Sequence, residues 1–132
     1  MNCLLDTHTL LWSLFDPNRL GAAARELLQD PKQTVYVSVI SVWEISLKYS
    51  IGKLDLQGVT PDDFPDLIRQ TGFELLPLAA QDAATFHNLA RLEHKDPFDR
   101  LLIWQAISHK LLFVSQDKAC AAYRKQGLKV VW

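Results

Sequence analysis

The sequence predicts an α/β fold: a central parallel sheet of four to five strands flanked by helices. Two observations predict it. Short, nearly continuous apolar runs recur along the chain, as expected of strands covered on both faces. Segments of helical character separate these runs and are long enough to serve as the crossovers that parallel strands require. A third observation concerns chemistry. Asp6, Glu44, Asp99 and Asp117 each sit where an apolar run, or the turn before a helix, gives way to a helical pattern. The C-terminal ends of parallel strands share one edge of the sheet, where open α/β folds bind ligands.

The first strand is expected over Asn2–Leu5, and a helix follows until Asp16-Pro17-Asn18 breaks it. A second helix ends at Asp30-Pro31, because the residue before a proline is pushed out of the α region. Val35–Ser38 reads as the second strand, followed by a helix over Ser41–Ile51 that Gly52 closes as a C-terminal cap. Thr60-Pro61-Asp62-Asp63 is a cap with proline at the first helical position. Glu74–Pro77, Leu111–Ser115 and Lys129–Val131 supply the remaining strands. Between them fall a pair of helices, the second opening at Asp96-Pro97, and a final helix closed by Gly127. No linker, repeat or low-complexity tract interrupts this order, so residues 1–132 read as one domain.

The 132 residues are 48% hydrophobic and 22% charged, a composition that suits a packed core and excludes a disordered chain. The formal net charge is −1, so no overall basic field attracts nucleic acid, and binding to RNA would need metal ions or a local basic rim. Cys3 and Cys120 form neither a disulfide framework nor a zinc-ligand spacing. Both are expected as buried free thiols, which suits a reducing cytoplasm. Asp6 and His8 interrupt the apolar N-terminal stretch, and no basic segment precedes it, so neither a signal peptide nor a membrane span is expected. Trp12, Trp43 and Trp104 stand among apolar neighbours and are expected in the core. Leu10, Leu11, Leu14 and Phe15 are candidates for an exposed partner surface.

Each acid also has an ordinary explanation. Ser41-Val42-Trp43-Glu44 has the form of a capping box. Asp96-Pro97-Phe98-Asp99 fits an N-cap, proline at N1 and an acid at N3, and Asp6 and Asp117 fit simple N-caps. Capping alone does not explain why carboxylates recur where Ser, Thr or Asn would serve, nor why Asp99 opens the almost wholly apolar Leu101–Ile107 helix. A carboxylate beside a buried helix needs a partner. Clustered carboxylates resist ionising together unless a cation relieves them. An all-oxygen donor set favours a hard ion, Mg²⁺ or Mn²⁺. His94 precedes the acidic turn and is a candidate for phosphate contact, against an exposed loop imidazole. Arg91, Lys95, Arg100 and Lys118 are further candidates for phosphate contact.

Four segments together resemble PIN-domain proteins, and more narrowly the VapC-type toxins of bacterial toxin–antitoxin pairs. They are Leu4-Leu5-Asp6-Thr7-His8, Ser38-x-x-Ser41-x-Trp43-Glu44-Ile45, His94-Lys95-Asp96-Pro97-Phe98-Asp99-Arg100 and Val114-Ser115-Gln116-Asp117. The resemblance implies a metal-dependent endoribonuclease, with Asp6, Glu44, Asp99 and Asp117 at the family's four acidic positions. Asp6, Asp99 and Asp117 would hold Mg²⁺ or Mn²⁺, and Glu44 would serve a second ion or the attacking water. Asp96 lies one helical turn from Asp99 and is a possible addition; Thr7 and Ser115 match hydroxyl positions beside the acids. The resemblance further implies an RNA substrate, a cognate antitoxin, a homodimer and a cytoplasmic location. A phosphotransfer receiver domain fits poorly, because Asp6 has no acidic neighbour and the middle strand ends in Leu76-Pro77-Leu78. A non-catalytic binding module is disfavoured by the retention of all four acids.

Overall fold

The computed structural model describes residues 2–92 and 94–132. Five strands, β1 (Cys3–Leu5), β2 (Val35–Ser38), β3 (Glu74–Leu76), β4 (Leu112–Val114) and β5 (Lys129–Val131), form one parallel sheet in the order β3-β2-β1-β4-β5. The helices are α1 (Thr7–Phe15), α2 (Ala22–Gln29), α3 (Val39–Ser50), α4 (Phe64–Gln70), α5 (Ala80–Thr85) and α6 (Pro97–Ser108). The chain leaves β1 toward β2 and β3 on one side and later fills β4 and β5 on the other. The β1/β4 junction is therefore the topological switch point, where side chains beyond the strand ends can line a crevice. This order also differs from the 2-1-3-4-5 order of receiver domains.

Alternation along each strand explains the continuous apolar runs. In β1, Cys3 and Leu5 join one core with Val35, Val37, Val114, Leu10, Ile45 and Phe64. Leu4 points the other way, into a core with Phe113, Ile40, Leu102, Ile103 and Tyr123. Successive strand side chains face opposite sides of the sheet, so a strand covered on both faces must be apolar at every position. Register follows: Leu5 pairs with Val114, and Tyr36 with Glu74.

Two elements differ from the sequence expectation. α3 begins at Val39, not Ser41, because the Ser38 side chain caps it by accepting from the Ile40 N–H at 3.0 Å. Ser41 and Glu44 therefore lie inside the helix, both buried, and the expected capping box does not form. The last helix, Lys118–Gln126, is a 3₁₀ helix ended by Gly127 in the left-handed region, φ 100°. Its buried residues, Cys120 and Tyr123, are three apart, a spacing that 3₁₀ geometry stacks on one face.

The aromatic and partner-surface expectations also need correction. Trp43 is 59% exposed, and with Val39, Leu47 and Ile51 it forms an exposed apolar stripe on α3. Ile40, Ser41, Glu44 and Ile45 take the inward face of that helix. Leu10 is fully buried, and Leu11 and Leu14 pack on the core, leaving Phe15 as the exposed member of that group. Among the described residues, no helix is long and apolar enough to cross a membrane.

Gly21 precedes α2 and has no side chain to cap it. The Trp132 carbonyl does so instead, accepting from the N–H groups of Ala23 and Ala24 at 3.1 and 3.2 Å. A Cβ at position 21 would stand 2.5 Å from that oxygen. Gly21→Ala is therefore expected to destabilise the fold by about 1–3 kcal/mol, read as a lower urea midpoint at unchanged m-value.

Candidate active site

The acids take their positions from the starts of helices. Asp6 follows β1 and caps α1, its Oδ1 accepting from the Thr9 N–H at 2.8 Å. The Asp6 N–H itself bonds to the Val114 carbonyl at 3.1 Å, which ties the end of β1 to β4. Asp96 caps α6 by accepting from the Phe98 N–H at 2.8 Å, which puts Asp99 in the first turn. Asp117 follows β4 and caps the 3₁₀ helix through Oδ1, accepting from the Ala119 N–H at 3.0 Å. The capping explanation is thus correct for Asp6, Asp96 and Asp117. It uses one carboxylate oxygen of each and leaves the other outside the cap.

Asp6, Asp99 and Asp117 line a single cleft of about 540 Å³ with His8, Trp12, Gln116 and Lys118. They face a common space without touching: among the described residues, the one group with three potential ligand atoms within 4.8 Å of one another is His94, Asp117 and Cys120. Burial, then the charges of Asp96 and Glu44, push the Asp99 carboxyl up to about 6; Asp6 adds to this and His94 opposes it. Asp96, Glu44 and Asp6 are therefore close enough to act on Asp99.

Glu44 is 2% exposed, and both of its oxygens are engaged. Oε1 accepts from the Thr7 hydroxyl at 2.6 Å, and Oε2 is paired with the Lys48 ammonium. The Thr7 hydroxyl has one proton, which it gives to Glu44, so at 3.0 Å the Ser41 hydroxyl donates to Thr7. The hydrogen bond to Glu44 holds the Lys48 ammonium above its ordinary range against the opposing effect of burial, and the charges of Glu44, Asp96 and Asp99 add to the rise. Glu44 is thus not a free ligand pointing into the cleft. It anchors a cation beside the acids. Lys48 is the residue that sequence reasoning missed, and Ser41, expected as a cap, bonds to Thr7 instead. The available signal was spacing: Lys48 is four residues after Glu44 on one helix, the arrangement that favours an ion pair.

The remaining candidates divide. Ser115 Oγ accepts from the Asp117 N–H at 3.1 Å and so fixes the backbone at that acid. His94 is not an exposed loop imidazole: its side chain is 6% exposed, with Nε2 2.6 Å from Asp117 Oδ2. Arg100 is not brought to the acids. Its guanidinium donates to the Leu89 carbonyl at 3.2 Å and lies 4.9 Å over the Phe86 ring. Adjacent helix positions project about 100° apart, so the turn that aims Asp99 into the cleft aims Arg100 away from it. Cys3 and Cys120 are both buried and free. Burial, then the charge of Asp117, push the Cys120 thiol up to about 12, which excludes it as a thiolate nucleophile at neutral pH.

The residues of the cleft fit a divalent cation. The donors are oxygens, and Asp99 carries the electrostatic strain that a cation relieves. In metal-free protein this strain has a pH signature. The folded state holds the Asp99 proton up to about 6, whereas the unfolded chain loses it near 4. Between those values the unfolded state binds fewer protons, so stability falls as pH rises and levels off above about 6. Urea midpoints across this range are expected to show the decline without divalent ion, and to show a stabilising effect of Mn²⁺ that grows with pH.

The parallel sheet and acidic switch-point cleft define an α/β domain with a candidate metal centre. Residues 3–126 match the PIN domain, and the chain belongs to that family. Over 76 residues it is 34% identical to Ribonuclease VapC16 of Mycobacterium tuberculosis, a match covering 54% of this chain and 52% of the relative. The chain therefore spans about half the length of the curated relative it matches. Among solved structures it resembles VapBC2 from Rickettsia felis bound to a promoter DNA fragment, with TM-score 0.67, 14% identity, and 99% and 98% of the two chains covered. It also resembles FitAcB from Neisseria gonorrhoeae, with TM-score 0.64, 20% identity, and 100% and 97% covered. At these identities the structural likeness is one of fold.

Proposed function

We propose that this chain is a divalent-metal-dependent endoribonuclease and the toxin of a toxin–antitoxin pair, acting in the cytoplasm. The observation that carries the reading is the convergence of Asp6, Asp99 and Asp117 on one cleft at the switch point. The name of the curated relative, a ribonuclease, and the toxin–antitoxin complexes among the structural neighbours support the substrate and the partner. The substrate is RNA, and the antitoxin is the protein that covers the cleft.

Asp6, Asp99 and Asp117 would hold Mg²⁺ or Mn²⁺, directly or through water, with Asp96 close enough to contribute. The bound ion would supply an activated water and offset the charge that builds on the scissile phosphate. The chain's own groups prepare the cleft for this. The α1 and 3₁₀ caps fix the orientation of Asp6 and Asp117, and Ser115 holds the backbone behind Asp117. Thr7 and Lys48 engage both oxygens of Glu44, and in return Glu44 holds a positive charge next to Asp96 and Asp99. Lys118, on the cleft wall, meets a flanking phosphate. Incubating the pure protein with RNA is expected to give cleavage with Mn²⁺, none with EDTA, and none from Asp6→Asn with Mn²⁺. Full activity of that variant would overturn the reading.

The exposed α3 stripe of Val39, Trp43, Leu47 and Ile51 supports self-association as a homodimer, because contiguous apolar surface on a folded chain marks an interaction site. Trp43→Asp is expected to shift the protein to a monomer in light scattering at unchanged melting temperature. A wild-type monomer at the same concentration would contradict the dimer.

A further inference from the structure

We propose that His94, Asp117 and Cys120 form a second, softer metal site, for Zn²⁺, on the wall of the acidic cleft. The three residues offer one nitrogen, one oxygen and one sulfur, all within 4.8 Å of one another. His94 Nε2 is 2.6 Å from Asp117 Oδ2 and 4.0 Å from Cys120 Sγ. Zinc takes thiolate, imidazole and carboxylate ligands in tetrahedral geometry at about 2.0–2.3 Å. An ion between these atoms needs the His94–Asp117 hydrogen bond to open and the sulfur to move in by a few tenths of an ångström.

The donor set differs in kind from the aspartates of the cleft. Mg²⁺ and Mn²⁺ favour carboxylate oxygen, whereas thiolate and imidazole select zinc over them. The site is also framed. The His94 ring is buried and rests at 5.4 Å on the ring of Tyr123, itself fully buried. Its Nδ1 is buried with no hydrogen-bond partner among the described residues, so the contact of Nε2 with Asp117 is the hydrogen bond that holds the ring. Ser115 Oγ is 4.0 Å from Cys120 Sγ, and Asp117, at 46% exposure, opens the site to solvent, which gives the ion an entry path. On binding, the thiol proton leaves to solvent as the zinc–sulfur bond forms, because a metal deprotonates the thiol it ligates, and Nε2 gives up the proton it shares with Asp117 while Nδ1 takes one up, so that the ligating imidazole stays neutral.

Asp117 serves both sites, and that sharing gives the second site its consequence. Zinc held by His94 and Cys120 takes the Asp117 carboxylate out of the hard-ion cleft and acts as a reversible brake on cleavage. The brake rests on the proposed nuclease function; the binding does not.

Cobalt(II) is the probe. Titrated into reduced wild-type protein, it is expected to give a near-ultraviolet thiolate-to-cobalt charge-transfer band that Zn²⁺ bleaches. The chain has two cysteines, so the assignment is direct: Cys120→Ser loses the band and Cys3→Ala keeps it. Cys120→Ser keeps Mn²⁺-dependent cleavage and needs at least about tenfold more zinc for inhibition, the loss that even an outer-shell change brings. If Cys120→Ser fails to fold, His94→Gln replaces it, with cobalt affinity expected to fall by at least the same factor. No band in the wild type, or an unchanged band in Cys120→Ser, overturns the site. Equal zinc inhibition of both proteins overturns the brake. A wild type that cleaves no RNA with Mn²⁺ defeats the nuclease reading instead, because the cobalt band is read without RNA.

Discussion

Asp99→Asn is expected to abolish RNA cleavage and, in the same molecule, to stabilise the metal-free fold. The two effects share a cause. Asp99 is held in a partly buried setting with Asp96, Glu44 and Asp6 around it, and its carboxyl is pushed up to about 6. At neutral pH the folded protein carries that charge against both desolvation and repulsion. An uncharged side chain of the same shape removes both costs. Allowing for the group's partial exposure, the gain is about 1–2 kcal/mol above pH 6 and vanishes below about pH 4, where both folded and unfolded chains are protonated. Activity moves oppositely, because the amide is a poor ligand for a hard cation. A loss of at least about 1000-fold corresponds to about 4 kcal/mol of transition-state stabilisation. Urea unfolding at two pH values, with cleavage assays on the same preparation, checks both. A variant less stable than wild type at neutral pH would show that Asp99 is a structural cap and not a strained ligand.

Lys48→Met carries the second large effect, here on stability. The Lys48 ammonium is the partner of a carboxylate that is almost fully buried. Removing one member of a buried pair leaves the other uncompensated, at a cost of about 3 kcal/mol where one partner is partly exposed. For a domain of this size that corresponds to a drop of roughly 10 °C in Tm. Adding Glu44→Gln removes the orphaned charge while leaving an acceptor for the Thr7 hydroxyl, so the double variant is expected to recover about half of the loss. Additive losses, or a negligible effect of Lys48→Met, would mean that the pair behaves as an ordinary surface salt bridge.

How far the site was legible in the sequence depended on the range of the interactions that build it. Asp6, Asp99 and Asp117 could be placed because each stands next to a strand end or helix start, and the parallel topology carries such positions to one edge. β2 and β5 were placed at their observed limits because clear flanks bound each run, although β5, at the sheet edge, is only partly buried. The capping box read over Ser41–Glu44 does not form, because the direct passage from β2 into α3 makes Ser38 the cap and carries Ser41 and Glu44 into the helix. Lys48 was overlooked because an i,i+4 pair on a helix is ordinary at a surface, and the burial of Glu44 that makes it consequential comes from packing against α1. The placement of His94 under Tyr123, and the turn of Arg100 toward Phe86, are likewise products of tertiary packing. α3 is apolar on more than one side, so its pattern could not say that Trp43 faces outward.

The proposed nuclease function requires the acidic cleft at the switch point to hold a divalent cation. Crystals grown with Mn²⁺, with anomalous differences collected near the manganese absorption edge, test it most directly. Anomalous density is expected inside the cleft, contacted by Asp6, Asp99 and Asp117 directly or through single waters, and lost in Asp99→Asn crystals. A cleft without density in manganese-soaked wild type, or manganese bound only at other carboxylates on the surface, would contradict it.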